Sequence, residues 1–274
     1  MEMIKITEQP SKYRNLEKMS VEEITANINR EDETVALAIK KALPQINQVI
    51  YEIVSKLKEG GRMFYVATGS GGRLSVLDVI ELPTTFGIEK GIFNVMLAGG
   101  LDRLVEALEE KEDDINEGWS MLQNENISER DIVVGISASG TTPFVLAALK
   151  ECRKRNIATG CIVSNPGSPI AEQADFPVEI ITGPEILAGS TRMKCGTAQK
   201  MILDMISTTV MVQLGRVEDN RMVNMKLLNE KMLDRSVKML MEKAQIADYE
   251  KAKELLLKHG SVKQSMDYFQ KETN

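Results

Sequence analysis

Residues 63–73 read MFYVATGSGGR and give the clearest indication of the fold. Its opening residues, Met63–Ala67, form an apolar run with the length of a buried β-strand. A turn of glycines and small polar residues follows, and the chain continues as the helical sequence LSVLDVIEL at 74–82. A short apolar run that passes through a glycine-rich turn into a helix is typical of the strand–loop–helix unit of a parallel sheet. The stretch therefore predicts an α/β fold.

Further apolar runs of the same character lie downstream. They are Ile92–Leu97, Ile132–Ile136, Ala158–Val163 and Val178–Ile181. Segments long enough for crossover helices separate the runs as far as Ala158–Val163, and strands that alternate with helices form a parallel sheet covered on both faces. We therefore predict a five-stranded, three-layer α/β/α domain at residues 60–215.

Helices are expected on both sides of this domain. At residues 1–59, Ser20 and Glu23 make a capping box. A periodic stretch from about Asp32 to Lys58 predicts a helix that packs on the core, and Pro44 is expected to kink or break it.

An apolar helix at 197–214 closes the domain. Residues 216–274 then form a C-terminal extension, with charged helical segments near 226–244 and 248–258 and a short last helix. We expect the extension to pack on the sheet domain or on a second subunit.

The composition excludes several classes of protein. His259 is the single histidine, so a Ser-His-Asp triad, a Cys-His dyad or a histidine-rich metal site is not expected. The net charge is −6 with no basic block, which argues against nucleic-acid binding. Cys152, Cys161 and Cys195 show no C-x-x-C spacing, which favours a reducing cytoplasm over a disulfide framework or a zinc site. No signal peptide and no apolar run of roughly 18 residues is evident, so neither secretion nor membrane insertion is expected.

Two strand–helix junctions have the composition of phosphate-binding loops. They are ATGSGGR at 67–73 and SASGTTP at 137–143. Glycines let the backbone approach a ligand, hydroxyls donate hydrogen bonds, and the helix N-terminus adds free N–H groups. Neither loop is a dinucleotide fingerprint or a Walker sequence, so the expected ligand is a small phosphorylated molecule. Glycine for turn geometry and serine or threonine as an ordinary N-cap would explain one such loop equally well.

Other candidate residues lie outside these loops. The cluster GSTRMKCGTAQK at 189–200, at the entry to the apolar helix, suits an anion or a sugar hydroxyl, but capping by Ser190 or Thr197 with solvated lysines explains it as well. Glu81 precedes Leu82 and Pro83, so we expect proline to end the helix there and to leave this carboxylate near an irregular turn. The acidic run at 109–114 is, on charge alone, a solvated surface.

Taken together, the motifs resemble a known family. ATGSGGRLSVLDVIELPTTFG at 67–87, VVGISASGTTPFVLAALK at 133–150 and GPEILAGSTRMKCGTAQKMILDMISTTVMVQLG at 183–215 occur in order, after TEQ at 7–9. They are similar to the N-acetylmuramic acid 6-phosphate etherase family, which has a sugar isomerase (SIS) domain and is related to the glucokinase regulatory protein. The resemblance covers about residues 6–240. It implies an SIS fold with a shortened C-terminal helical module, and Thr141 stands where an arginine is usual.

The resemblance also implies an activity and a site. The family removes D-lactate from N-acetylmuramic acid 6-phosphate by elimination and water addition, a carbon–oxygen lyase reaction of cell-wall recycling. Its two glutamates fall on Glu81, the expected acid at the ether oxygen, and on Glu112, the expected base at C2, so no metal or cofactor is expected. Expected contacts to the phosphate and the rest of the substrate are Ser70, Gly71, Ser137, Ser139, Gly140, Thr141, Thr142, Ser190, Thr191 and Lys194.

The same resemblance leaves alternatives and implies a partner chain. It implies a homodimer whose site is completed by the neighbouring subunit. A non-catalytic sugar-phosphate-binding regulator is the main alternative to the enzyme. An aldose–ketose isomerase is a weaker one, because such enzymes lack the E-L-P and S-T-R-M-K segments at these spacings.

Overall fold

The computed structural model describes residues 5–106 and 109–273, which fall into two compact units. The first unit comprises the described residues of 1–78 and 91–206, and the second comprises those of 79–90 and 207–274. The domain boundaries expected from the sequence, after residues 59 and 215, stay a prediction. No helix in the described ranges is long and apolar enough to cross a membrane.

A parallel sheet forms the centre of the first unit. Its strands are β1 (Met63–Ala67), β2 (Phe93–Leu97), β3 (Ile132–Ser137), β4 (Ala158–Val163) and β5 (Phe176–Glu179). They lie in the order β2-β1-β3-β4-β5, and every adjacent pair is parallel. The predicted five-stranded parallel sheet is therefore confirmed. β5 begins two residues before the predicted start and so includes Pro177. Proline is tolerated there because β5 is the edge strand beside β4.

Helices cover both faces of this sheet. The helices are α1 (Val21–Lys58), α2 (Gly69–Phe86), α3 (Glu117–Asn124), α4 (Pro143–Lys154), α5 (Pro169–Glu172) and α6 (Lys194–Gln213). On one face, Phe64 and Val133 pack with Phe144 and Leu149 of α4. On the other face, Gly160 of β4 lies so close to α1 that an added Cβ would stand 2.8 Å from a Val49 methyl group. The three-layer α/β/α architecture is confirmed.

The first helix begins earlier than expected and passes through its proline. Ser20 and Glu23 form the predicted capping box, and the helix runs without interruption from Val21 to Lys58. Pro44 cannot donate a hydrogen bond to the preceding turn, but Ile39 and Ile46 on either side of it are buried against the sheet unit. Burial of this apolar face outweighs the loss of one backbone hydrogen bond. The prediction that Pro44 breaks the helix was therefore wrong.

The second helix also continues past a proline. α2 does not end at Glu81, because Pro83 lies inside it and the helix extends to Phe86. Leu82 and Phe86 are both buried, and Gly87 follows with a φ of +63°, a conformation that terminates helices. The expectation that Pro83 stops the helix was wrong, and Glu81 lies on an exposed helical surface instead of an irregular turn.

The second unit is a small helical cluster. It contains the hairpin β6 (Val217–Glu218) and β7 (Arg221–Met222), followed by α7 (Glu230–Ala244), α8 (Tyr249–His259) and α9 (Val262–Thr273). Its core is apolar and includes Val237, Leu240, Ala252, Leu256 and Val262. His259 is the last residue of α8, and it stacks on Tyr268 with ring centroids 4.3 Å apart.

Candidate functional site

A polar pocket of about 210 Å³ opens in the first unit at the carboxyl ends of β1 and β3. The chain passes from β1 to β2 on one side of β1 and then to β3 on its other side. The order of the strands therefore reverses between β1 and β3. Open α/β sheets bind ligands at this position. Residues from several loops line the pocket: Glu8, Thr68, Gly69, Ser70, Gly71, Glu112, Ile136, Ser137, Ala138, Ser139, Thr142, Gly189, Thr191 and Gln199.

The loop after β1 brings its backbone close to the pocket. Gly69 has a φ of +51°, which glycine adopts without strain. A Cβ on Gly71 would stand 3.0 Å from Ile136 and 3.2 Å from the side-chain oxygen of Gln199. The glycines therefore let the first turn of α2 approach both β3 and α6, and they leave Ser70 as the side chain that faces outward.

The loop after β3 is held by hydrogen bonds among its own hydroxyls. Ser137 Oγ shares a hydrogen bond of 2.8 Å with Thr142 Oγ1 and accepts one from the Gly140 N–H at 3.0 Å. Ser139 Oγ accepts from the Thr141 N–H at 3.2 Å. The loop is thus preorganised as a ring of donors and acceptors at the N-terminus of α4, where an anion is stabilised.

The N-terminal segment reaches this loop through a buried asparagine. Asn165 donates from Nδ2 to Thr7 Oγ1 and to the Ser139 carbonyl, each at 2.9 Å, and its Oδ1 accepts from the Thr7 N–H at 3.1 Å. Thr7 and Asn165 are both buried. These bonds fix the backbone beside Glu8, whose carboxylate lines the pocket.

Glu112 enters the pocket from a short 3-10 turn at Glu109–Asp113. Its Oε1 lies 3.0 Å from the position that a Cβ would take on Gly69, so the glycine makes room for the carboxylate. Arg73, at the end of the first loop, donates from Nε to the Leu104 carbonyl at 2.9 Å and from its guanidinium to the Glu106 carbonyl. This arginine therefore fastens the segment that leads toward Glu112.

Lys194 is engaged in a buried ion pair. Its Nζ donates to Glu31 Oε2 at 2.6 Å and to the Thr182 carbonyl at 2.9 Å. Burial alone would raise the pKa of Glu31, but the hydrogen bond and the positive charge of Lys194 outweigh it and hold that pKa below its ordinary value.

The N-terminus of α6 is capped by a carboxylate. Glu185 accepts hydrogen bonds from the N–H groups of Lys194 and Cys195, at 3.0 and 2.9 Å. The favourable end of the α6 dipole is therefore already occupied by a protein anion.

The structure gathers most of the expected contacts in one pocket. Ser70, Gly71, Ser137, Ser139, Thr142, Thr191 and Glu112 line it. Gly140 and Thr141 lie in the same loop as Ser137, Ser190 precedes Thr191, and Lys194 pairs with Glu31, while Glu81 belongs to the second unit. The roles assigned to all these residues stay predictions.

Some lining residues were not assigned a role from the sequence. Those with a polar side chain, or with backbone close to the pocket, include Glu8, Thr68, Gly69 and Gln199. Glu8 belongs to the TEQ segment and Gln199 to the GTAQK segment, both quoted for the resemblance. No local pattern places residue 8 beside residue 139, because the link depends on Asn165.

The pocket has an unusual charge for a predicted phosphate site. Two carboxylates, Glu8 and Glu112, line it, and no lysine or arginine does among the residues described around it. The donors available to an anion there are hydroxyls, backbone N–H groups and the Gln199 amide. In the described part of the chain no three His, Cys, Asp or Glu side chains come together as a metal site.

Comparisons with known proteins agree with this geometry. The SIS domain model matches residues 114–212, and the model of the glucokinase regulatory protein N-terminal SIS domain matches residues 45–153. Among solved structures, a phosphoheptose isomerase from Francisella tularensis has a TM-score of 0.55 at 15% identity, covering 71% of this chain and 99% of that one. At this identity the likeness supports the SIS fold alone.

Curated relatives are much closer. An N-acetylmuramic acid 6-phosphate etherase from Bacteroides thetaiotaomicron is 52% identical over 99% of this chain and 98% of its own length. A protein of the same name from Bacteroides fragilis is 52% identical over 97% of this chain and 94% of its own. These names favour the etherase over the regulatory alternative. An identity of about half, sustained over nearly the whole chain, shows that the protein belongs to the N-acetylmuramic acid 6-phosphate etherase family.

Proposed function

We propose that this protein cleaves the D-lactyl ether of N-acetylmuramic acid 6-phosphate and releases N-acetylglucosamine 6-phosphate and D-lactate. The reaction is a lyase-type elimination followed by hydration. The observation that carries the proposal is the meeting of the Glu112 carboxylate with both hydroxyl-rich loops in one pocket. Family membership supports the same substrate.

The assigned proton transfers balance. Glu112 takes the proton from C2 as the C2–C3 double bond forms and the C3–O bond breaks, and Glu81 gives a proton to the departing lactate oxygen. Water then adds at C3, Glu81 takes a proton from it, and Glu112 returns its proton to C2. Carboxylates can serve as both base and acid when each is held at its reacting atom.

The phosphate is assigned to the neutral donors of the pocket. Ser137, Ser139 and Thr142 stand at the N-terminus of α4, and Ser70 and Gly71 stand at the start of α2. Two helix N-termini aimed at one pocket favour a dianion without a cation nearby. The sugar then extends toward the carboxylates, where the chemistry takes place.

The experiment incubates the pure protein with N-acetylmuramic acid 6-phosphate in D₂O and follows D-lactate and deuterium at C2. Glu112→Gln should abolish both signals. Glu81→Gln should abolish lactate but keep deuterium exchange at C2, because the base is still present. Glu110→Gln, an exposed neighbour in the same acidic run, is the matched control and should keep both signals.

Other outcomes would contradict the proposal. Saturable binding without lactate from the unaltered protein would refute the etherase and support a sugar-phosphate sensor. Near-normal turnover in Glu112→Gln or Glu81→Gln would refute the role assigned to that glutamate alone.

The proposal includes a homodimer in which the neighbouring chain completes the site. The exposure of Glu81 in the single chain supports it, since a proton donor works best where water is excluded. Mixing the inactive Glu81→Gln and Glu112→Gln proteins tests it. If the two glutamates of one site come from different chains, mixed dimers regain activity. Mixtures that stay inactive while exchanging subunits would contradict a site that takes one glutamate from each chain.

A cytoplasmic location completes the proposal. All three cysteines are buried free thiols, which suits a reducing compartment. Fractionation of the producing cell, with the protein recovered outside the cytoplasm, would contradict this assignment.

A further inference from the structure

Glu8 brings a second carboxylate to the same pocket as Glu112. Its Oε2 lies 3.6 Å from the position that a Cβ would take on Gly189, an ordinary contact distance that places the carboxylate beside this glycine of the pocket lining. The proton transfers assigned above use Glu81 and Glu112 and give Glu8 no part. A charged group that lines a substrate pocket without a catalytic task has another use there or weakens binding.

Buried hydrogen bonds hold the backbone beside Glu8 in place. Thr7 is 1% exposed and Asn165 is fully buried, and they are joined by hydrogen bonds in both directions, at 3.1 and 2.9 Å. The same asparagine donates to the carbonyl of Ser139 in the loop assigned to phosphate. The backbone beside Glu8 is therefore fixed relative to that loop, although the two lie more than a hundred residues apart in sequence. The Glu8 side chain itself is exposed and accepts a hydrogen bond from the Thr7 hydroxyl at 3.5 Å.

Charge determines which part of a substrate can meet this carboxylate. A phosphate group is repelled by a carboxylate, and no described lysine or arginine in the pocket offsets the repulsion. A sugar hydroxyl, by contrast, donates a strong hydrogen bond to a carboxylate. Glu8 therefore favours the hydroxyl-bearing end of a sugar phosphate and disfavours its phosphate end.

We propose that Glu8 is a substrate-binding residue that accepts hydrogen bonds from hydroxyl groups of the sugar and orients the phosphate toward the loop at 137–142. This inference rests on the proposed function for the identity of the sugar. It assigns Glu8 to binding and orientation, while proton transfer stays with Glu81 and Glu112.

The test compares two ligands by calorimetry, so it does not depend on turnover. In Glu8→Gln, N-acetylglucosamine 6-phosphate should bind about tenfold more weakly, because a charge-assisted hydrogen bond is lost. Inorganic phosphate should bind as tightly as before or more tightly, because a repulsive charge is removed. Glu33→Gln, on the exposed surface of α1, is the matched control and should bind both ligands as the unaltered protein does.

The outcomes separate orientation from a structural role. Parallel weakening of both ligands would show that Glu8 only supports the fold of the pocket, and unchanged affinity for both would show that it does not touch the sugar; either result overturns the inference. Failure of the unaltered protein to bind N-acetylglucosamine 6-phosphate would overturn it too. If the unaltered protein binds this ligand but releases no D-lactate, the proposed reaction fails while the two-ligand comparison still decides the role of Glu8.

Discussion

The ammonium group of Lys194 lies 2.6 Å from the carboxylate of Glu31, and the two side chains are only 2% and 7% exposed. Glu31 lies on α1 and Lys194 opens α6, so the pair joins the first helix of the chain to the helix that borders the pocket. The Tyr13 hydroxyl also donates to Glu31, at 3.2 Å. The pair therefore links α1 to α6 beside the pocket, which is a structural role.

Removal of one partner should destabilise the protein strongly. Lys194→Met leaves the buried carboxylate of Glu31 with the more exposed Lys12, 3.4 Å away, as its remaining described cation. Loss of the buried partner should therefore cost about 3 kcal/mol, the lower end of the usual range for a broken buried pair. Lys200→Met is the control, because Lys200 pairs with Asp204 on the surface and should cost less than about 1 kcal/mol. Urea denaturation measures both. Weak phosphate binding with unchanged stability in Lys194→Met would show that Lys194 serves the ligand and not the fold.

The same pair should make stability depend on pH. The pKa of Glu31 is lower in the folded protein than its ordinary value of 4.5, so the charged pair stabilises the folded state fully above about pH 4.5. The contribution is lost as the pH falls below that value and Glu31 takes up a proton. The free energy of unfolding of the unaltered protein, minus that of Glu31→Gln/Lys194→Met, should be constant near neutrality and shrink in acid. A difference that grows in acid would contradict the assignment.

Gly140 should not tolerate a side chain. Its φ is +72°, and a Cβ would stand 2.3 Å from Ser168 Oγ and 2.4 Å from Ser168 Cβ. Gly140→Ala should therefore cost at least about 1–3 kcal/mol of stability and weaken phosphate binding. Gly196→Ala is the matched control, because its nearest neighbour would be 3.6 Å away and α6 would gain about 0.4–1 kcal/mol. Equal thermal denaturation midpoints for the two variants would contradict the prediction.

The three cysteines should be inert in the folded protein. Burial raises the pKa of Cys152 and Cys161 to about 12 and that of Cys195 to about 11. Since the thiolate is the reactive form, an aromatic disulfide reagent at neutral pH should label none of them before denaturation and all of them in guanidinium chloride. Rapid labelling of a native thiol would show that its surroundings open in solution.

Local patterns were sufficient for the sheet and for most of the pocket. The apolar runs at β1 and β4 match the strands residue by residue, and the loops that follow β1 and β3 meet because parallel strands end at one edge of the sheet. Local rules failed at Pro44 and Pro83, where buried side chains on both sides of the proline keep the helix intact. The cost of a proline is local, but its compensation comes from packing.

The fold class, the two phosphate-type loops and the family could all be predicted before folding was considered, because they follow from periodicity and from motifs that are short and contiguous. Which side chains share the pocket, and which instead stabilise the surrounding structure, became clear from the folded chain alone. Glu8 reaches the pocket through Asn165, and Lys194 turns away to Glu31, and both results depend on hydrogen bonds between segments about 160 residues apart. Such partners are selected by burial and geometry in the folded chain, which no local pattern of residues records.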